Sequence, residues 1–329
     1  MQQILCFGEL LVYWIPRNFQ TVGDLHVPLY AQFPGGAPAN VAVGCQKLGV
    51  PSALVGQVGH DAMGRYLRDC LTTYDVNDQY LLASDHPTAM AFLHLDIKGN
   101  RSFSINRNDT ADLNYPESEL NEDMFNDIGI FHFSSNSLVE TALNDCTLQA
   151  IKMAKTQQTL VNFDVNLRMM IWQDIRQVKP RVMQALKLVD IAKFKVEEVD
   201  YLRGSRTESD FLAELFESGV KVVLITDKEQ AVRLHTNNHH QSFMTPKVTN
   251  VDPTIATDAF SSGWIVGLIE QSIHNPSQLE NACLKITPLI DAVNIAMCSA
   301  AYAVTQEGAW NALPTRSDIT ELLKSVEKI

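Results

Sequence analysis

The run Val251–Gly263 (VDPTIATDAFSSG) places one carboxylate, Asp258, at the mouth of a predicted helix. A carboxylate there can take the proton from a substrate hydroxyl, and the amide groups of the helix start can hold an anion. Together these serve group transfer to an alcohol. A second run, Pro34–Asn40 (PGGAPAN), also precedes a predicted helix. Its glycines, Gly35 and Gly36, let the backbone come close to a ligand, and the Asn40 amide can both donate to and accept from hydroxyl groups. Further polar clusters are Gly56–Asp61, Asp164–Arg168, Lys195–Glu198, Thr226–Gln230 and Asp252–Asp258.

The elements that must position these clusters follow from apolar periodicity. Strands are predicted over Ile4–Phe7, Ala53–Val58, Ile128–Phe133, Thr159–Asp164, Asp190–Phe194 and Lys221–Thr226. Helices are predicted over Ala39–Leu48, along a face marked by Met63, Leu67, Leu71 and Tyr74, and near Val139–Lys155, Glu197–Leu202, Asp210–Glu217, Asp258–Ile273 and Ile286–Val304. Strand alternating with helix implies an α/β fold with a mostly parallel sheet covered on both faces. In such sheets the ligand lies beyond the carboxyl ends of the strands, which is where the five clusters fall. Two segments break the alternation: strand-like 12–33, interrupted at Pro16, Gly23 and Pro28, and a hairpin, Ala91–Ile97 with Arg101–Arg107, turning at Lys98-Gly99-Asn100. They read as a small β lid (12–33 and 88–112) inserted into a body formed by 1–11, 34–87 and 113–329. Ala259, Gly263 and Gly267 recur at spacing four, a pattern that points to close helix packing and not to chemistry.

With 329 residues, 46% hydrophobic and 19% charged, the chain can bury a sizeable core. A net charge of −12 without any basic run argues against nucleic-acid and anionic-membrane partners. No stretch is expected to span a bilayer, and no basic segment precedes Ile4–Phe7 as a signal peptide would require. The six cysteines are scattered, so they read as thiols in a reducing cytoplasm, without disulfides or a zinc site. His239-His240 is expected in a polar loop.

Taken in order along the chain, Cys6–Leu11 (CFGELL), Pro34–Asn40, Gly56–Gly64, Arg101–Arg107, Ala111-Asp112, Asn162–Arg168 (NFDVNLR), the Asp258 segment, Gly308-Ala309 and Ala312–Pro314 resemble the ribokinase-like (PfkB) carbohydrate kinases, within them the fructokinase branch. The resemblance covers nearly the whole chain. It implies a ribokinase-like three-layer body, a β lid over the sugar, and ATP-dependent phosphorylation of a hexose hydroxyl, most often that of fructose. Carried over position by position, it makes Asp258 the general base and Ile255, Ala256 and Thr257 the anion hole. Glu9, Gly35, Gly36, Asn40, Arg107, Asp164, Asn166 and Arg168 would bind the sugar. Lys195, Thr226, Lys228, Asn294 and Gly308 would meet ATP. Glu198 would hold Mg2+ through water, and a monovalent cation would sit near Asp252. A homodimer through the lid is also implied.

The pattern departs from the family in four places. Ile255-Ala256-Thr257 replaces Gly-Ala-Gly, so β-branched residues are expected to reshape or partly close the anion hole. Lys228 and Ala231 replace glycines after Thr226. Lys195 stands where an Asn or Ser helps hold the metal's water, and Tyr13 where an Asp grips the sugar. Two further readings therefore stay open: a weak or inactive sugar-binding regulator of the same fold, and a kinase of a sugar acid or nucleoside.

Overall fold

The computed structural model describes residues 3–95, 101–227 and 230–326. The chain opens with strand β1 (Gln3–Phe7), a long hairpin of β2 (Leu11–Val22) and β3 (Leu25–Gly35), helix α1 (Ala37–Lys47), β4 (Ser52–Gly59), α2 (Ala62–Thr73) and β5 (Leu81–Ser84). Then come β6 (Met90–Leu95), β7 (Arg101–Asn106), β8 (Ile128–Ser134), α3 (Thr141–Thr156), β9 (Leu160–Asp164), α4 (Val178–Leu186), β10 (Ile191–Lys195), α5 (Val196–Arg203) and α6 (Glu208–Ser218). The last part holds β11 (Val222–Asp227), β12 (Ala231–Thr236), β13 (His240–Met244), α7 (Ala256–Glu270), α8 (Pro276–Lys285), α9 (Thr287–Val304) and α10 (Arg316–Val326).

Nine strands form one sheet in the order β13-β12-β11-β10-β9-β8-β1-β4-β5. From β5 to β11 every pairing is parallel. Alternate side chains of a strand enter different cores. Ile4 and Cys6 pack among the helices α1, α7 and α9, whereas Leu5 and Phe7 join Phe131, Phe133 and Phe163 under α3 to α6. Two cores, one on each face of the sheet, make three layers. They also explain why the central strands read as continuous apolar runs.

Beyond β11 the sheet turns antiparallel, an addition the sequence reading missed: β12 pairs with both β11 and β13. His239 lies in the turn after β12, as expected, but His240 opens β13 and its ring stacks on His235. The exposed, polar sequence of β13 hides the strand.

A second sheet, ordered β3-β2-β6-β7, contains the two segments that broke the alternation. Its hairpin pairs Leu11 with Gly35 at one end and Val22 with Leu25 at the other. Pro16 and Pro28, expected to interrupt it, are accommodated: a register shift follows Pro16, and Pro28 lies on β3, an edge strand where a missing N–H is harmless. β6 and β7 pair antiparallel as expected, while the turn at 98–100 lies outside the described residues.

By length and mean hydropathy, α9 would suffice to cross a membrane, against the expectation that no segment approaches this. It is a core helix here. Leu289, Ala292, Val293 and Ala296 are fully buried, and Ala292 and Ala296 touch α7 at Gly267 and Gly263. A methyl on Gly267 would lie 2.5 Å from the Ala292 Cα, so the two helices meet backbone to backbone.

Candidate active site

The carboxyl ends of β1, β8, β9, β10 and β11 open onto one edge of the large sheet, and α7 points its amino end into that edge. No side chain caps α7. The amides of its first turn have no acceptor within the helix, so they present partial positive charge. Asp258 lies in this turn and is buried. The Asn40 amide donates to its Oδ2 at 2.6 Å, and Asn40 Oδ1 accepts from Trp310 Nε1 at 2.8 Å. The indole thus fixes which end of the Asn40 amide faces the carboxylate. Burial pushes the Asp258 pKa up to about 6; Arg168 and the Asn40 bond oppose the rise, and Asp164 adds to it. A carboxylate poised near neutrality suits a general base.

Glu9 follows β1. Its Oε1 accepts from the Ala37 amide at 2.9 Å and from Asn136 Nδ2 at 2.7 Å, whereas Oε2 is buried without a partner. Asn136, also buried, has an unpartnered Oδ1. It lies in the polar run after β8, a signal the sequence reading passed over. Arg107 follows β7 and donates through Nε to Asp112 at 2.6 Å and through its guanidinium to the Asn136 carbonyl at 3.0 Å. Gly36 has φ 117, and a Cβ there would meet the Glu9 carbonyl at 2.2 Å, so only glycine fits. Gly35 lies directly under the Tyr13 ring, which stands 1.9 Å from where a Cβ would be. Burial raises the pKa of the Tyr13 hydroxyl, with the Arg168 guanidinium opposing the rise and the Asp258 and Glu9 carboxylates adding to it. Tyr13 therefore stands among the charged groups around Asp258.

Asp164, expected at the ligand, has partners within the protein. Its carboxylate accepts from Lys193 Nζ at 2.9 and 3.1 Å and from Ser261 Oγ at 2.8 Å. With Lys193 buried as well, this ion pair forms the floor beneath Asp258. A buried lysine needs such a partner. Lys193 was not singled out from the sequence, because within β10 it reads as one interruption of an apolar run.

Asn166 has φ 37, a strained value for a non-glycine residue, as is common at functional sites. Its Oδ1 accepts from Lys195 Nζ at 2.9 Å and its Nδ2 is buried without a partner. Glu198 accepts from two backbone amides, Leu167 at 2.7 Å and Lys195 at 2.8 Å, and Lys195 Nζ stands 3.9 Å from Oε1. Burial raises the Glu198 pKa. Thr226 pairs with Lys195 across β10 and β11. Lys228 lies outside the described residues. Asn294 on α9 is half-buried with an unpartnered Oδ1.

The helix start carries its β-branched residues without left-handed backbone angles. Ile255 has φ −104, and neither Ala256 nor Thr257 is left-handed, so the helix starts without strain. Ile255 instead buries its side chain in the core beside α7. The β-branched residues are compatible with the helix entry because this turn does not use glycine angles.

A cleft of about 200 Å³ lies between the second sheet and the loops flanking α7 and α9; Tyr13, Trp14, Arg17 and Leu93 line it on one side and Asp252, Thr254, Glu307 and Gly308 on the other. Arg17 and Glu307 form an ion pair of 2.6 Å across it. Asp252 Oδ1 accepts from the Thr254 hydroxyl at 2.6 Å. Among the described residues no three His, Cys, Asp or Glu side chains converge to hold a metal directly.

A three-layer α/β body with a carboxylate at an open helix start, facing a second sheet, is the plan of a sugar kinase. Residues 1–316 match the pfkB family of carbohydrate kinases, and the chain belongs to that family. It is 33% identical to the probable fructokinase-7 of Arabidopsis thaliana, over 98% of this chain and 92% of the relative. A fructokinase from Xylella fastidiosa, solved with bound ATP, superposes with a TM-score of 0.91 at 30% identity over 98% of each chain. A double-mutant fructokinase from Vibrio cholerae, solved with fructose, ADP and a potassium ion, gives 0.80 at 29% identity over 99% of this chain and 98% of that one.

Proposed function

We propose that the protein transfers the terminal phosphoryl group of ATP to a hydroxyl of a hexose, fructose first among the candidates. The observation that carries this is Asp258: a buried carboxylate of raised pKa in the first turn of an uncapped helix. Asp258 takes the hydroxyl proton as the oxygen attacks, and the amides around Ile255, Ala256 and Thr257 hold the negative charge that develops. Bound ATP supplies the phosphoryl group. Glu9 Oε2 and Asn136 Oδ1 are buried acceptors without donors, which supports a ligand rich in hydroxyls. Arg107 and Arg168 hold the acceptor end, and Lys195, Thr226, Asn294 and Gly308 form the nucleotide side. In this reading the second sheet (12–33 and 88–112) closes as a lid on the body formed by 1–11, 34–87 and 113–329.

Three finer assignments rest on less. Asp252 suits a monovalent cation, as in the potassium-bound relative. Phe19, Val22, Leu25, Val27 and Leu29 are exposed on the hairpin and suit a homodimer through the lid. The six cysteines form no disulfide, which suits the cytoplasm.

The test is phosphate transfer measured over a panel of sugars, sugar acids and nucleosides. Fructose is expected to be turned over, and Asp258→Asn is expected to lower kcat by at least about 10²-fold with sugar affinity nearly unchanged. Turnover of a sugar acid or nucleoside in place of fructose would reassign the substrate. Sugar binding without transfer would make the protein a regulator.

A further inference from the structure

We infer that Lys195 supplies from within the chain the positive charge that a hydrated divalent ion would bring against Glu198 and Asn166, so that nucleotide phosphates bind here without a metal anchored to the protein. The inference rests on the kinase reading above. It follows from how the donors and acceptors beside Glu198 are already used.

Glu198 is 5% exposed and each of its oxygens accepts from a backbone amide, Leu167 at 2.7 Å and Lys195 at 2.8 Å. These bonds join the loop after β9 to the start of α5. The remaining acceptor nearby, Asn166 Oδ1, takes the Lys195 ammonium at 2.9 Å. The same ammonium stands 3.9 Å from Glu198 Oε1. The Lys195 side chain is 35% exposed and that of Glu198 only 6%, so the ammonium is the outer partner, between the carboxylate and solvent. Waters of a magnesium ion would have to donate to this same pair of acceptors. Ammonium and divalent ion would then compete for one carboxylate, and their mutual repulsion opposes joint occupancy.

Position and chemistry fit an ammonium that meets phosphate. Lys195 ends β10 opposite Thr226, on the sheet edge that α7 also faces. An ammonium carries three donors on a flexible stem; Asn166 takes one, which leaves capacity for an anion. Fixed by Asn166 and Glu198, the head is held near the strand ends with little freedom left to lose on binding.

The experiment titrates ADP by calorimetry in EDTA and again in excess Mg2+. It compares wild type with Lys195→Asn, which keeps a polar side chain, and Lys195→Arg, which keeps the charge. Wild type is expected to bind metal-free ADP within about threefold of its affinity in Mg2+. Lys195→Asn is expected to lose at least about tenfold of the metal-free affinity, the size of one charge-assisted bond, while its affinity in Mg2+ falls less. Lys195→Arg should retain metal-free binding. Wild-type binding that requires Mg2+, or Lys195→Asn indistinguishable from wild type, overturns the inference and leaves the kinase reading standing. No nucleotide binding by folded wild type under either condition overturns both.

Discussion

Asn40 holds Asp258 with one end of its amide and Trp310 with the other, so three segments far apart in the chain decide one proton affinity. Because that bond favours the ionised carboxylate, Asn40→Ala should raise the Asp258 pKa above its value of about 6. The acidic limb of the kcat profile, expected near that pH in wild type, should move to higher pH in the variant; an unmoved limb would separate Asn40 from the titrating group. The raised pKa also costs stability. Below the ordinary carboxyl pKa of 3.8 the cost is absent; it grows as pH rises toward about 6 and is complete above. At pH 8, Asp258→Asn should therefore stabilise the fold, by roughly 1–3 kcal/mol, and melting curves should lose this gain toward pH 4. Asp258 and Asn40 could be found in the sequence because each lies in a compact polar run at a helix start. Asn136, Lys193 and Trp310 could not be found that way, since their meaning comes only from which strand ends the topology brings together. The pairing of Asp164 with Lys193 is hidden for the same reason. The run around Asp164 looks like a ligand loop, and Lys193 on the neighbouring strand pairs with its carboxylate.

At the scale of elements, the spacing-four pattern Ala259, Gly263, Gly267 gave correct notice of the α7–α9 contact. It could not say which helix would be the partner. Gly267→Ala sets two effects against each other: alanine favours a helix by about 1 kcal/mol, while its methyl would meet the Ala292 backbone at 2.5 Å. Backbone cannot rotate away as a side chain can, so overpacking wins, and a net loss of roughly 1–3 kcal/mol is expected in urea unfolding. An unchanged midpoint would mean that the helices slide apart at no cost. Elsewhere, elements were missed where burial is slight. β13 is mostly exposed, so its sequence lacks the apolar alternation that announces a strand. The Ile255–Thr257 turn shows the converse. The substitutions were legible as departures, but their effect depended on backbone angles that only the fold reveals.

Across the whole molecule, the two sheets differ in how they are held. The large sheet is buried between helical layers, whereas the second has the small core of Leu11, Tyr13, Ala89 and Ala91. Amide exchange should therefore be slowest in α7 and α9 and fastest in β2 and β3. Fructose with nucleotide should slow exchange in β2 and β3, and ligands that leave those strands unprotected would argue against closure. The chain passes between the two bodies four times, and three of the crossings adjoin a residue already described. Glu9 precedes β2, Gly36 follows β3, Thr88, which binds Asp61, precedes β6, and Arg107 follows β7. In the proposed reading, the hinge and the grip on the sugar would share Glu9, Gly36 and Arg107. Tilting the second sheet pulls on Glu9 and Arg107 as a lever pulls on its pivot. Gripping power and opening speed cannot be tuned independently at these four crossings, so a substitution there that tightens sugar binding should also slow product escape.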